Sequence, residues 1–129
     1  MEIRTAHVRI ARPARDLAGL RRFYVEGLGM TVLHEGEPQV DGRRWNLLMC
    51  GFQGAGWHLE FTRCESGPVV PSPSVEDLLV IYLGDPASVR DLSRALLGRG
   101  GAAVPSDRTT RTGTPVASRC STPTGTGWC

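Results

Sequence analysis

Two short segments, residues 7–10 and 57–62, carry most of the side chains that could do chemistry. If each is a β-strand, alternation places the polar side chains of 57–62 on one face and its apolar side chains on the other. That polar face would hold His58, Glu60 and Thr62. The first segment would turn His7 and Arg9 away from its apolar residues. Imidazoles and carboxylates are the usual proton carriers and metal ligands of proteins, so these strands are the first place to look for a site.

The polar face of such a sheet looks either into solvent or into a cavity. Two histidines near one carboxylate and one guanidinium favour a cavity over an ordinary solvated face. Segment 44–50 is largely apolar on both faces, so the sequence does not decide which of its side chains would line that cavity.

The elements that must position these strands follow from hydrophobic spacing. Period-two alternation predicts strands at residues 3–10, 30–33, 44–50 and 57–62, the first ending before Pro13. Asp16 can cap a helix that stops in the turn at residues 27–29. The apolar face of that helix would comprise Leu17, Leu20, Phe23 and Tyr24. The first half therefore has the order strand, helix, three strands.

The same order restarts after a Pro-rich linker at residues 65–75. Residues 78–83 form an apolar run typical of a strand, and Asp85-Pro86 supplies a helix cap and a first-turn proline. The buried face of that helix would comprise Val89, Leu92, Leu96 and Leu97, and a short strand would begin at 102–104. An offset of about 71 residues aligns the two halves, which indicates an internal duplication.

Composition bounds the class of protein. The chain has 129 residues, 40% hydrophobic and 22% charged, with a net charge of +2, so we expect one soluble globular domain. No basic stripe points to nucleic acid, and no apolar run is long enough for a membrane span. The first residues lack a signal-peptide pattern and the cysteines lack zinc-ligand spacing, so we expect a cytoplasmic protein.

Several segments together resemble one known superfamily. They are His7-Val8-Arg9-Ile10, Asp16-Leu17, Phe23-Tyr24, Gly27-Leu28-Gly29-Met30 and His58-Leu59-Glu60-Phe61. This set is similar to the vicinal oxygen chelate (VOC) superfamily of glyoxalases, bleomycin-resistance proteins and extradiol dioxygenases, from the first strand to about residue 104. The resemblance implies an α+β fold of two βαβββ modules that form a cupped mixed sheet, with a small molecule in the cup and a homodimer.

The resemblance also implies where a metal would bind. His7 and Glu60 match the first two ligand positions of metal-using members, whereas Leu78 stands where a histidine is expected. Leucine has no lone pair to donate, so the set is incomplete and we expect no cofactor. One divalent zinc, nickel or iron ion is the alternative, with His58 or water completing the site.

These residues support three functions. The first is a binding protein whose cup is lined by His7, Arg9, His58, Glu60, Thr62 and Tyr82. The second is an enzyme, a lyase or isomerase or, by the resemblance, a dioxygenase-like one. It would be either metal-assisted through His7 and Glu60 or metal-free with Glu60 as base and His58 as its acid partner. The third is an inactive product of a shifted reading frame in the tail. Whether the chain is an enzyme stays open.

The C-terminal tail has an unusual composition. Seven of the ten threonines lie between Thr109 and Thr126, and residues 108–129 contain no acidic residue. Regrouping the codons of this tail by one base can spell Asp-Pro-Asp-Gly-Tyr and Asn-Pro-Tyr-Trp, two segments that the superfamily has before its final strand. We therefore predict a frameshift near residues 106–108. The domain would be residues 1–106, with modules at 1–64 and 76–106, and the aberrant tail at 107–129 would lack the final strand or leave it irregular, without strand pairing.

Overall fold

The structure is a computed structural model that describes residues 6–74, 77 and 79–99, together with the backbone of 102–104 and 119–121. The first module contains strands β1 (Val8–Pro13), β2 (Thr31–Gly36), β3 (Gln39–Val40), β4 (Arg43–Gly51) and β5 (Trp57–Cys64), and helix α1 (Leu17–Arg21). The later part contains α2 (Pro86–Leu97), β6 (Ala102–Val104) and β7 (Arg119–Ser121). An α+β fold with an open mixed sheet is therefore confirmed.

The sheet has the order β1-β5-β4-β2, with β3 paired to β4. Strand β1 runs parallel to β5, and the other pairs are antiparallel. The chain thus leaves β1 through the helix, starts again at the opposite edge and returns by hairpins to lie beside β1. This is the predicted βαβββ order with one additional two-residue strand, β3. Asp41 and Gly42 close the β3–β4 hairpin with φ of 50° and 71°, the left-handed conformation that a two-residue turn requires.

The helical segment begins where the sequence predicts. The Asp16 carboxylate accepts a hydrogen bond of 2.9 Å from the Gly19 amide, which caps α1. The helix then widens into a π-helical turn at Arg22–Gly27. Within this turn the adjacent side chains of Phe23 and Tyr24 are both buried, and the ring centroids of Tyr24 and Phe61 are 5.0 Å apart.

The core lies between this helical segment and one face of the sheet. Its fully buried members share an apolar character and come from α1, the π-helical turn, β4 and β5: Leu20, Phe23, Tyr24, Leu48, Cys50, Leu59 and Phe61. Leu96 of α2 joins the same cluster, and Arg99 donates a hydrogen bond of 2.9 Å to Glu26. The second helix therefore packs on the first module rather than apart from it.

Four sequence predictions need correction. Strand β1 continues through Pro13 because Pro13 lies at the last paired position, opposite Thr62. Residues 79–83 form no strand, since no described strand pairs with them, and Val80 and Tyr82 are exposed. Leu97 is 46% exposed because the buried stripe of α2 passes through Leu92 and Leu96.

The fourth correction concerns the tail. Strand β7 pairs antiparallel with β6, with Ala103 opposite Cys120, so the expectation of no strand pairing after residue 106 is wrong for these three residues. A strand this short needs only a few backbone hydrogen bonds, which threonine- and glycine-rich sequence does not prevent. Leu78, the predicted gap in the metal set, lies outside the described residues, and so do the proposed frameshift position and most of the tail. No helix in the described ranges is long and apolar enough to cross a membrane.

Candidate functional site

The sheet has one face buried against the helices and one face that is only partly covered; we call the second the open face. Leu48, Cys50, Leu59 and Phe61 all point to the core and are at most 2% exposed. Their neighbours in sequence point the other way. Because residues opposite each other in antiparallel strands share a face, the pairs Met49 with Glu60 and Leu47 with Thr62 belong to the open face.

Register also settles which residues of β1 and β2 lie on the open face. Arg9 of β1 pairs with His58 and Ala11 pairs with Glu60, while Val8 and Ile10 pair with the apolar positions of β5. On the far strand, His34 pairs with Met49 after a bulge that follows Val32. The predicted division of 7–10 and 57–62 into polar and apolar faces is therefore what the structure shows.

A histidine pair lies at the β1 end of the open face. His7 Nε2 and His58 Nδ1 are 2.5 Å apart, and the two ring centroids are 4.7 Å apart. The two nitrogens share a hydrogen bond whose donor depends on the tautomer of each ring. His58 is only 8% exposed, whereas His7 lies at the surface. A buried imidazole thus reaches solvent through an exposed one.

Space for the buried ring comes from the adjacent strand. A Cβ atom at Gly51 would lie 3.0 Å from His58 Cβ and 3.3 Å from the Trp57 carbonyl oxygen. Such contacts are tighter than side chains normally make, so a larger residue at position 51 would push His58 away from its place. Gly51 is a site residue that sequence reasoning missed, and its only signal was a glycine at the end of an otherwise apolar strand.

The environment keeps His58 uncharged. Burial lowers its pKa below the usual 6.5, and the charges of His7 and Arg9 lower it further, against a smaller opposing effect from Glu60. The Nε2 atom of His58 is buried and has no hydrogen-bond partner within the part of the chain that the structure describes. A neutral imidazole with one nitrogen bound and the other unpartnered can accept or donate one further hydrogen bond.

An ion pair lies beside the histidines. Arg9 Nη1 is 3.0 Å from Glu60 Oε2, and the Glu60 side chain is 14% exposed while that of Arg9 is 54% exposed. The guanidinium therefore covers the carboxylate on the solvent side. Two opposite charges at this distance cancel locally, so the polar end of the open face carries no net charge from this pair.

Apolar side chains continue the open face across β4. Trp45, Leu47 and Met49 alternate with the core residues of that strand and are each partly buried. The sequence left open which face of 44–50 would line a cavity. The register answers this, because only these three share a face with Glu60 and Thr62.

The predicted ligand-binding residues do not all come together. His7, Arg9, His58 and Glu60 contact one another in pairs, and Thr62 lies on the same face one pair further along β5. Tyr82 is 88% exposed and lies in a segment that forms no strand. The structure therefore gives no support for placing Tyr82 with the others.

The two predicted metal ligands do not fit a divalent ion as they stand. The Nε2 atom of His7 is occupied by His58, and the carboxylate of Glu60 is occupied by Arg9. A positive guanidinium next to the carboxylate also opposes a second cation there. In the described ranges, no three histidine, cysteine, aspartate or glutamate side chains are placed to hold an ion together.

A βαβββ unit with a core on one face of its sheet and a partly covered polar face on the other is the unit of the glyoxalase/bleomycin-resistance fold. Comparison with solved structures agrees. TnmS3, an antibiotic-binding protein from Streptomyces sp. CB03234, matches with a TM-score of 0.63 over 95% of this chain and 92% of that protein, at 22% identity. The predicted resemblance to the VOC superfamily is confirmed at the level of the fold.

The particular family follows from more similar proteins. Residues 8–62 match the model of the YycE-like N-terminal domain. The crystal structure of a YycE protein of unknown function from Bacillus subtilis matches with a TM-score of 0.78 and 31% identity, over 96% of this chain and 87% of that one. This chain belongs to the YycE-like family. Its alignment with the uncharacterised protein YycE of Bacillus subtilis strain 168 is 36% identical over 95 residues, which is 74% of this chain and 66% of that relative.

Proposed function

We propose that this chain binds a small molecule on the open face, between the histidine pair and the apolar side chains of β4. The observation that carries the proposal is the Nε2 atom of His58, a buried polar atom with unused hydrogen-bonding capacity in the described part of the chain. Buried polar groups are normally hydrogen-bonded, and the Oε2 atom of Glu60 also lacks a hydrogen-bond partner in the described residues, so this cluster has hydrogen-bonding capacity that a ligand drawn into it could use.

The remainder of the open face has the composition of a ligand site. Such sites combine mostly apolar walls with a few placed polar groups. Trp45, Leu47 and Met49 supply the apolar wall, and His58 with the Arg9–Glu60 pair supplies the polar end. Since a solved protein of this fold binds an antibiotic, a small organic molecule of that kind is a reasonable ligand class to test first.

Binding is better supported than catalysis. A metal-assisted lyase or isomerase would need His7 and Glu60 to leave their present partners. A metal-free enzyme with Glu60 as base and His58 as acid partner would also need Glu60 to give up Arg9. Binding leaves both contacts in place and requires only that the atoms covering the buried Nε2 atom of His58 move aside.

The test is a thermal-shift screen of the full chain against a chemically diverse library that includes antibiotics. A ligand present at a hundred times its dissociation constant adds about 2.7 kcal/mol to the free energy of unfolding, which raises the melting temperature by several degrees. Each compound that stabilises the chain is then followed by NMR for conversion. Stabilisation without conversion supports binding; conversion would favour the lyase or isomerase.

A matched pair of variants locates the site. His58→Phe removes the buried imidazole, and His34→Phe removes an exposed one on the far strand of the same face. We expect His58→Phe to lose the ligand response and His34→Phe to keep it. No response from the chain, together with a response from a version whose tail is restored to the other reading frame, would instead support the inactive product.

The homodimer that the resemblance implies is proposed on similar grounds. Strand β1 lies at the edge of the sheet, and Val8 on it is 52% exposed. Exposed sheet edges with apolar side chains are suited to pairing with another chain. Light scattering should give twice the monomer mass of 14.0 kDa, and a mass of 14.0 kDa would contradict the dimer.

A further inference from the structure

We propose that α2 opens as a unit while the sheet of the first module stays folded, and that a network of ion pairs around Glu26 controls this opening. The inference goes beyond the binding function, because α2 packs on the π-helical turn and the core rather than on the open face. It depends on the small buried surface of α2, on a close contact at Gly27 and on the charges around Glu26.

Helix α2 is held to the first module by a small apolar contact. Among its 12 residues only Leu96 is buried, and Leu92 packs partly against the same cluster. All other buried members of that cluster belong to the first module. A helix of this length is marginally stable in water without packing, so few contacts separate the closed helix from the open one. We therefore expect α2 to open at a lower free energy than the sheet.

The apolar contact is fitted to a glycine. A Cβ atom at Gly27 would lie 2.8 Å from Leu96 Cδ2 and 3.6 Å from Arg99 Cδ. The end of α2 thus occupies the space that a side chain at position 27 would need. Gly27 is not among the glycines with positive φ, so the close approach of α2, and not the backbone conformation, requires a glycine here.

Charged side chains extend the attachment beyond this contact. Arg99 Nη1 lies 2.9 Å from Glu26 Oε2, and Arg21 Nη1 lies 3.8 Å from Glu26 Oε1. Arg21 Nε also lies 3.7 Å from Glu35 Oε1, so the network joins the end of α2 to β2. The four side chains are 42–54% exposed. Exposed ion pairs are weak and are screened by salt, so ionic strength should loosen α2.

The connection that precedes α2 permits this motion. Residues 65–74 and 79–83 form neither helix nor strand, and most of residues 65–74 are exposed. The entropy of closing a long connection changes only slowly with its length. Helix α2 can therefore leave the π-helical turn without displacing β5.

Hydrogen–deuterium exchange of the full chain, followed by mass spectrometry, tests the proposal. Peptides covering residues 86–97 report on α2, and peptides covering residues 57–64 report on β5. We expect α2 to exchange faster than β5. Raising sodium chloride from ~0.02 M to ~1 M should speed the exchange of α2 about two- to fivefold and leave β5 unchanged.

One pair of variants tests the ion pairs. Glu26→Gln should speed the exchange of α2 at low salt and abolish its salt response. Glu65→Gln removes an ion pair with Arg44 that has similar exposure and lies away from α2, so it should do neither.

A second pair of variants tests the contact at Gly27. Gly27→Ala should speed the exchange of α2, because the added Cβ atom crowds Leu96. Gly98→Ala should not, since a Cβ atom there would meet its nearest neighbour at an ordinary 3.6 Å.

Three results would overturn the proposal. Equal exchange of α2 and β5, with the same salt response, would mean that α2 opens only when the whole chain unfolds. A salt response of α2 that persists in Glu26→Gln would exclude the ion pairs as its cause. Unchanged exchange of α2 in Gly27→Ala would show that α2 is not attached at this glycine. If a variant fails to fold, the difference between α2 and β5 in the unmodified chain still decides.

Discussion

Lowering the pH tests the environment of His58 without changing the sequence. Its folded-state pKa is below 6.5 because burial, His7 and Arg9 all oppose protonation, with Glu60 acting weakly in the opposite sense. Between 6.5 and that lower value, the unfolded chain binds a proton at position 58 that the folded chain does not. The free energy of unfolding therefore falls as the pH falls through this window. Above pH 6.5 the imidazole is neutral in both states, so the free energy of unfolding is not reduced by protonation of His58.

The size of the effect follows from linkage. One proton taken up only by the unfolded chain changes the free energy of unfolding by at most about 1.4 kcal/mol per pH unit. Urea denaturation of the full chain at steps from about pH 7.5 to about pH 5.5 covers the window in which a histidine titrates. Carboxylates such as Asp85, whose pKa is held below 3.8 by hydrogen bonds from Ser88, lose their contribution only at more acidic pH.

Two comparisons show whether His58 causes the fall in the free energy of unfolding at lower pH. A His58→Phe chain should lose the part of the slope that comes from this residue, while a His34→Phe chain should retain it. Proton NMR of the unmodified chain should give a midpoint below 6.5 for the His58 imidazole. A midpoint at or above 6.5, or equal slopes in the unmodified and His58→Phe chains, would refute the reasoning.

Three other predictions test the packing, the metal and the tail. Leu96→Ala should lower the free energy of unfolding by about 2–4 kcal/mol in urea denaturation, because Leu96 is 6% exposed within the core. Leu97→Ala should lower the free energy of unfolding by less than about 0.5 kcal/mol, because Leu97 is 46% exposed. Equal losses from the two substitutions would contradict the packing of α2. Nickel or zinc added to the purified chain should not be retained at one ion per chain; retention that Glu60→Gln abolishes would overturn our account of His7 and Glu60. Sequencing the gene should show Asp-Pro-Asp-Gly-Tyr in the alternative frame after residues 106–108, and its absence there would end the frameshift hypothesis.

The elements of the first module were largely predictable because local signals agreed with the tertiary structure. Asp16 caps its helix as predicted, and the alternation in residues 57–62 gives the observed faces of β5. The strand predicted at 78–83 rested on an apolar run alone. An apolar run favours a strand only where a partner supplies backbone hydrogen bonds, and none is described beside residues 79–83. The prediction that the first strand ends before Pro13 was wrong, because a proline is tolerated at the last position of an edge strand.

The sequence predicted which residues lie at the site but not which of them contact one another. Alternation placed His58 and Glu60 on one face, and this required no knowledge of other strands. The pairing of Arg9 with Glu60 depends on the parallel register of β1 and β5, which are separated by about fifty residues in the chain. The assignment of Leu47 and Met49 to the open face depends on the register of β4 in the same way. Register is a tertiary property, so a single sequence cannot fix it when both faces of a strand are apolar.

These connections change what the same residues can do. As an isolated list, two histidines, a glutamate and an arginine suggest acid–base or metal chemistry. In the structure, Arg9 is paired with Glu60 and His7 with His58, so three of the four have a protein partner for the atom that would act. What remains is the buried Nε2 atom of His58 and, beside it, the Oε2 atom of Glu60, which is ion-paired but has no hydrogen-bond partner in the described residues. A site whose charges are satisfied internally holds a neutral molecule at little electrostatic cost, whereas a catalyst of this design would first have to break its own contacts. The arrangement therefore favours recognition over reaction, and ligands that stabilise the chain without being converted would measure that difference.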